Sequence, residues 1–258
     1  MNRATLAFLL LCLLRFVSTD EAGAAPAGGD IEMTAVPDRI RIGTFYSGTG
    51  VRIDADVPDC DNVVMTLEGE DEVDELNRKG KVGIIWLNVA RVTVRNAPSA
   101  YIIAASDRLA AVTSRDEREK LGLGFDALES RIEFDSNKPL TGKELEEFIK
   151  LKKHAGTYKE DIDVVMGPAK GGRRTASAAL PIPADIPAGE YTVRSYCFIH
   201  QELIATASMT LPIEKVGLPN LASTLAYSHA AVYGILAIVI AMVVGISMGA
   251  LFSMKSGH

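Results

Sequence analysis

The chain has 258 residues, room for one large domain or two small ones together with a membrane segment. Hydrophobic residues make up 48% and charged residues 23%, with a net charge of -6, which permits a substantial core and argues against general nucleic-acid binding. The mean hydropathy of +0.15 comes from two apolar blocks at the ends, flanking a polar middle.

The first block, Leu6–Leu14, follows Arg3 and is too short to cross a bilayer, which takes roughly 20 residues. A basic start, a short leucine-rich run and then Ala22-Gly23-Ala24 predict a signal peptide over residues 1–24, cleaved near Ala25. Cys12 follows Leu11, where a lipoprotein signal needs a small residue, so lipidation is not expected. Residues 25–37 are rich in Ala, Gly and Pro and read as a flexible leader.

A β-rich domain is expected over residues 38–215. Arg39–Ile42 and Val51–Val57 alternate with period two, around a turn at Ser47–Gly50. Val63–Leu67 reads as an apolar strand and Glu68–Lys79 as an acidic, solvated loop. Val82–Leu87 and Val89–Val94 read as two further strands, and Ala100–Ala105 as another apolar run. A helical insert is expected over about 112–155. Ser114 with Glu117 has capping-box spacing ahead of a helix at Arg115–Leu121, and Thr141 with Glu144 repeats it ahead of a helix to about Lys153. Strands return at Arg174–Ile182 and Tyr191–Ile199, with a reversal at Gln201-Glu202 and a return strand to Ile213. The expected fold is mainly β: an Ig-like β-sandwich, either one with a helical insertion or two small tandem β-domains.

Residues 216–229 read as a juxtamembrane linker. Residues 230–252 carry no charged side chain and no polar stripe, which predicts a transmembrane helix. Tyr227, His229 and Tyr233 suit the headgroup layer, and Lys255 lies in a tail at 253–258. An exported N-terminal region places that tail in the cytoplasm and the β-domain in the periplasm of a bacterium, anchored in the inner membrane.

Several short blocks carry a family resemblance: Gly83–Asn88, Val92–Val94, Ala97–Leu109, Leu180–Pro183, Gly189–Val193 and Lys215–Gly217. Over about Asp38–Phe252 the chain resembles the putative transmembrane protein family best known from alphaproteobacteria. The resemblance implies an exported β-protein with a C-terminal membrane helix, and it carries over no catalytic residue. The chain departs from the family pattern at Glu68–Glu75 and at Cys197, where an aliphatic residue is expected.

The candidate chemistry is sparse. Cys60 and Cys197 share an oxidising compartment and can pair as a disulfide. Cys60 lies among Asp59 and Asp61, however, whereas Cys197 lies on an apolar face, so two separate thiols are the leading expectation. Cys197 and His200 are weak metal candidates, since positions three apart on a strand point to opposite faces. Asp54, Asp56, Asp59 and Asp61 lack the glycine and terminal glutamate of a calcium loop. Lys170–Arg174 is a basic turn. No nucleophile elbow, H-E-x-x-H or S-x-x-K motif is present, and no cofactor is expected. The membrane helix has a small-residue stripe, Ala237, Ala241, Gly245 and Gly249, suited to close contact with a second copy or a membrane-protein partner. The leading expectation is therefore a non-enzymatic, membrane-anchored binding or accessory module for a membrane partner such as a transporter. A metal or redox carrier using Cys60, Cys197 and His200, and a periplasmic hydrolase, are the alternatives.

Overall fold

The computed structural model describes residues 31–140, 142–217, 227 and 230–255. The expected signal peptide, Thr141 and most of the 216–229 linker lie outside them. The described chain is mainly β with one C-terminal apolar helix.

The strands are β1 (Glu32–Val36), β2 (Ile40–Ile42), β3 (Thr49–Pro58), β4 (Asn62–Glu68), β5 (Asp71–Val82), β6 (Ile85–Pro98), β7 (Tyr101–Ala105), β8 (Glu133–Ser136), β9 (Tyr158–Met166), β10 (Arg173–Ile182), β11 (Gly189–Ile199) and β12 (Glu202–Lys215). The helices are α1 (Leu109–Val112), α2 (Arg115–Leu121), α3 (Phe125–Glu129), α4 (Glu144–Ala155) and α5 (Ala230–Lys255). Nine strands form one continuous sheet in the order β1-β3-β10-β9-β7-β4-β11-β12-β2, and β5-β6-β8 form a second, smaller sheet.

This strand order decides between one domain and two. β10, which follows the helical insert, pairs with β3 along ten positions, and β11 lies between β4 and β12. N-terminal and C-terminal strands interleave, so the β region is one folding unit with an insertion. Where the sequence reading pictures an Ig-like sandwich, the strands form a single sheet curled over a shared core. β9 makes the corner. Its first part runs parallel to β7 from Tyr158 to Asp163, and Val164–Met166 then pairs antiparallel with β10. Asp161 takes a positive φ of 64° at that bend.

Two cores result. Inside the curl, Val51, Ile53, Val57, Met65, Leu67, Ile102, Leu180, Val193 and Leu211 are buried together. On the outer face of the same strands, Val64, Tyr101, Ile103, Tyr196 and Phe198 meet Val92, Val94, Leu123, Leu128 and Phe148 from β6 and the insert. The half-sheet β4-β7-β11 is therefore buried on both faces. That is why Val63–Leu67 reads as a continuous apolar run without alternation. The outer core is aromatic: Tyr101, Phe125, Tyr158, Phe148 and Phe134 contact one another in turn, with ring centroids 6.0–6.2 Å apart. The phenols of Tyr101 and Tyr158 are satisfied. Tyr101 donates to Gly122 O (2.6 Å) and accepts from Gly124 N (3.1 Å), and Tyr158 donates to Pro98 O (2.8 Å).

Several expectations change. The leader contains β1, paired to β3 from Glu32 to Val36. The acidic loop is mostly β5, a charged strand at the edge of its sheet, where charge guards against further pairing. The two strands expected at 82–94 are the turn and return of one β5–β6 hairpin. The insert contains β8, and β9, unremarked in the sequence, follows it. The N-cap half of the first capping box is present: Ser114 Oγ accepts from Glu117 N at 3.2 Å, and Gly122 ends α2 in the left-handed conformation. The second rests on Thr141, outside the described residues; α4 starts after Lys143, which makes no side-chain cap.

The cysteines are joined. Cys60 and Cys197 form a disulfide across 137 residues of sequence. Cys60 is 2% exposed and Cys197 fully buried, so Asp59 and Asp61 do not mark a solvated site for the thiol, and the expectation of two separate thiols gives way. The bond ties the β3–β4 connection to β11. On the chain-entropy model, closing so long a loop stabilises the fold by about 5 kcal/mol at most. Cys60→Ala/Cys197→Ala, or reduction of the native chain, should lower the thermal midpoint by many degrees with the β-sheet circular dichroism spectrum retained below it. An unchanged midpoint would contradict the staple.

Candidate functional site

The sequence-predicted site residues divide into those the fold uses internally and those it leaves open. Cys197 is consumed by the disulfide and buried. His200 sits in the two-residue β11–β12 turn, where His200 and Gln201 have φ of 49° and 68°. Its backbone N–H donates to Asp61 Oδ2 (3.1 Å). With both sulfurs bonded, Cys60, Cys197 and His200 supply no thiolate ligand. No group of three or more His, Cys, Asp or Glu converges among the described residues.

The aspartates mostly tie β3 and its end to β10. Asp54 accepts from Arg52 Nε (3.0 Å) and Ser177 Oγ (2.6 Å), Asp56 from Arg173 Nε (2.6 Å) and Asp59 from Arg174 Nε (2.5 Å). The basic turn at 170–174 thus spends both arginines on the chain's own carboxylates. Glu68, at the end of β4, accepts from Arg131 (2.5 Å) and Arg194 (2.7 Å), and Arg131 also contacts Asp71. These groups line a hollow of about 220 Å³ whose charges already face one another.

The open element is one that sequence reasoning did not single out as a site. The β5–β6 hairpin is a two-stranded arm. Its base is fixed: Val92 and Val94 are buried in the outer core, and the pairs Asp74–Lys152 (2.8 Å) and Arg78–Glu144 (3.4 Å) tie it to α4. Past Ala90, the last buried residue of β6 toward the turn, the arm projects roughly 20 Å at strand rise. The turn is a two-residue loop with φ of 65° at Gly83, flanked by the pair Val82↔Ile85. At its end Ile84 is 93% exposed, Trp86 69%, Ile85 55% and Leu87 46%. The available signal was Ile84-Ile85-Trp86-Leu87 itself, which fits a buried strand equally well until its partner is known.

The second open element is α5. Over Ala230–Gly249 it is long and apolar enough to cross a membrane, with mean hydropathy 2.5, and none of it is buried by the other described residues. A side chain at Gly245 or Gly249 would meet nothing within 4 Å, so the stripe Ala237, Ala241, Gly245 and Gly249 is unused within the described residues.

Charge inside the outer core is limited and partnered. Glu160 is held above the ordinary carboxylate range, chiefly by burial and against the Phe125 N–H it accepts at 2.9 Å. Burial likewise pushes the Tyr191 hydroxyl up to about 12, and it donates to Pro187 O (2.8 Å).

A mainly β domain carrying one exposed, membrane-length helix is the class of protein that these elements define. The family model described as "Putative transmembrane protein (Alph_Pro_TM)" matches residues 30–254, and the chain belongs to that family. No curated protein and no solved structure matches it.

Two outcomes test this division of labour. Ile84→Ser with Leu87→Ser should change stability by under about 0.5 kcal/mol, whereas Phe148→Ala should cost roughly 3–5 kcal/mol; similar losses at both sites would show that the tip is packed. Glu160, with a raised value in the folded state, favours folding most below the ordinary carboxylate range, and that contribution is lost as pH rises through the folded value. Glu160→Gln keeps an acceptor for Phe125 N–H. It should match or exceed the parent in thermal midpoint at neutral pH, the difference shrinking on acidification; a less stable variant at neutral pH contradicts this.

Proposed function

We propose that the protein is a single-pass, membrane-anchored, non-enzymatic module that binds or assists a partner in the same membrane. In this reading residues 1–24 are a signal peptide removed on export. The disulfide-tied β-domain stands in the periplasm, α5 crosses the inner membrane, and the C-terminus is cytoplasmic. The observation that carries the reading is the apolar helix, unburied over Ala230–Gly249 among the described residues, with its small-residue stripe.

An exposed stripe of alanine and glycine lets a second helix approach closely, and in lipid that packing replaces the hydrophobic drive available in water. The disulfide supports an oxidising compartment for the β-domain. Tyr227 and Tyr233 flank the start of the span and Lys255 its far end, which suits a cytoplasmic C-terminus. The partner is either a polytopic membrane protein, such as a transporter, or a second copy of the chain.

Gly245→Ile with Gly249→Ile fills the stripe with branched side chains and should abolish the crosslinked or co-purified partner, while the disulfide and β-domain stay intact. An unchanged crosslinking profile contradicts the helix as the contact surface.

A further inference from the structure

The arm ends in a cluster of large apolar side chains that the other described residues do not cover, with a charge pattern unlike that of its base. We infer that the tip of the β5–β6 hairpin, Lys79 to Leu87, seats in the headgroup layer of the bilayer leaflet that the β-domain faces. The inference rests on the chain's membrane anchor and is independent of a partner at the helix stripe.

Shape favours lipid. At the tip the ribbon is apolar on both faces, with Trp86 on one side and Ile85 and Leu87 on the other, and Ile84 at the apex. Such a convex cap needs no matching pocket in a fluid apolar layer, whereas a protein partner would have to supply one. A ribbon end can enter that layer because its backbone is paired across the hairpin, through Lys81↔Trp86 and Val82↔Ile85. The unpaired outward edges of both strands hold the insertion to roughly the 5–10 Å at which water still reaches the backbone.

Charge points the same way. Four of the first five residues of β5 are acidic: Asp71, Glu72, Asp74 and Glu75. From Leu76 to Pro98 there is no acidic residue, while Arg78, Lys79, Lys81, Arg91 and Arg95 are basic. In a chain of net charge -6, this arm is acidic at its root and basic toward its end. Lys79 and Lys81 are exposed and have no ion-pair partner among the described residues. That separates them from Arg173 and Arg174, which face Asp56 and Asp59. Lysines beside an apolar cap suit an anionic headgroup layer, at about 1 kcal/mol each near the surface. Tryptophan is the side chain most at home at that depth.

The anchor keeps the domain near the bilayer. β12 ends at Lys215 and α5 begins at Ala230. The stretch between them reaches at most about 50 Å when fully extended, which tethers the β-domain within that distance of the surface.

Trp86 is the chain's single tryptophan, so the native protein carries its own probe. The full chain is reconstituted into vesicles of phosphatidylcholine and phosphatidylglycerol, with or without bromine at a shallow or a deep acyl position. The expected result is a roughly twofold or greater loss of Trp86 emission with shallow bromolipid, less with deep, and weak quenching by acrylamide. Replacing the anionic lipid with neutral lipid, or introducing Lys79→Glu with Lys81→Glu, should reduce the bromolipid effect. Ile84→Ser with Leu87→Ser should remove it. Emission that is open to acrylamide and indifferent to bromolipid overturns the inference. So does emission shielded from acrylamide yet indifferent to bromolipid, which would place the tip against a second copy. The Gly245→Ile/Gly249→Ile chain should be quenched like the parent, so loss of the helix contact and loss of tip insertion read out separately.

Discussion

Burial of one half-sheet on both faces organises the molecule. β4, β7 and β11 turn one face into the curl and the other outward, and both faces carry large apolar side chains. An outer face bearing Val64, Tyr101, Ile103, Tyr196 and Phe198 would cost several kcal/mol if left in water. The helical insert and β6 cover it, and the aromatic chain from Tyr101 to Phe134 fills the space between. Covering that face also fixes the root of the β5–β6 hairpin, because Val92 and Val94 are part of the cover. The arm is thus held rigidly at one end by the same packing that leaves its other end free.

The ion pairs follow from this arrangement. Asp71, Asp74 and Arg78 lie on β5 where it passes the insert, and each meets a partner there: Arg131, Lys152 and Glu144. Pairs at such half-buried positions contribute modestly to stability. Their effect is geometric, setting the direction in which the arm leaves the body. Beyond Arg78, Lys79 and Lys81 lack such partners among the described residues, which coincides with the start of the exposed apolar tip.

The sequence was legible wherever hydrophobic pattern and local turn chemistry decide structure. β3, β4, β7, β10 and the β11–β12 hairpin fall where alternation or apolar runs place them, and α2 is bounded by Ser114 and Gly122 as expected. The apolar helix was legible from length and composition alone. β5 and β9 were not, because Asp71–Glu75 and Lys159–Asp163 are dominated by charge and become strands only when long-range partners supply the pairing. The same limit hid the disulfide, since Cys60 looks solvated beside Asp59 and Asp61 until β11 is laid against β4. The tip was hidden for the opposite reason: Ile84–Leu87 reads as core, and only the fold reveals that no other described residue covers it.

The most direct test of the doubly buried half-sheet is hydrogen exchange on the intact, disulfide-bonded chain. The backbone amides of β4, β7 and β11 should exchange last, together with those of β3 and β10, as one cooperative unit. If β3 and β10 opened as a separate unit while β4 and β11 stayed closed, the β region would be two bodies and the account of its organisation would be wrong.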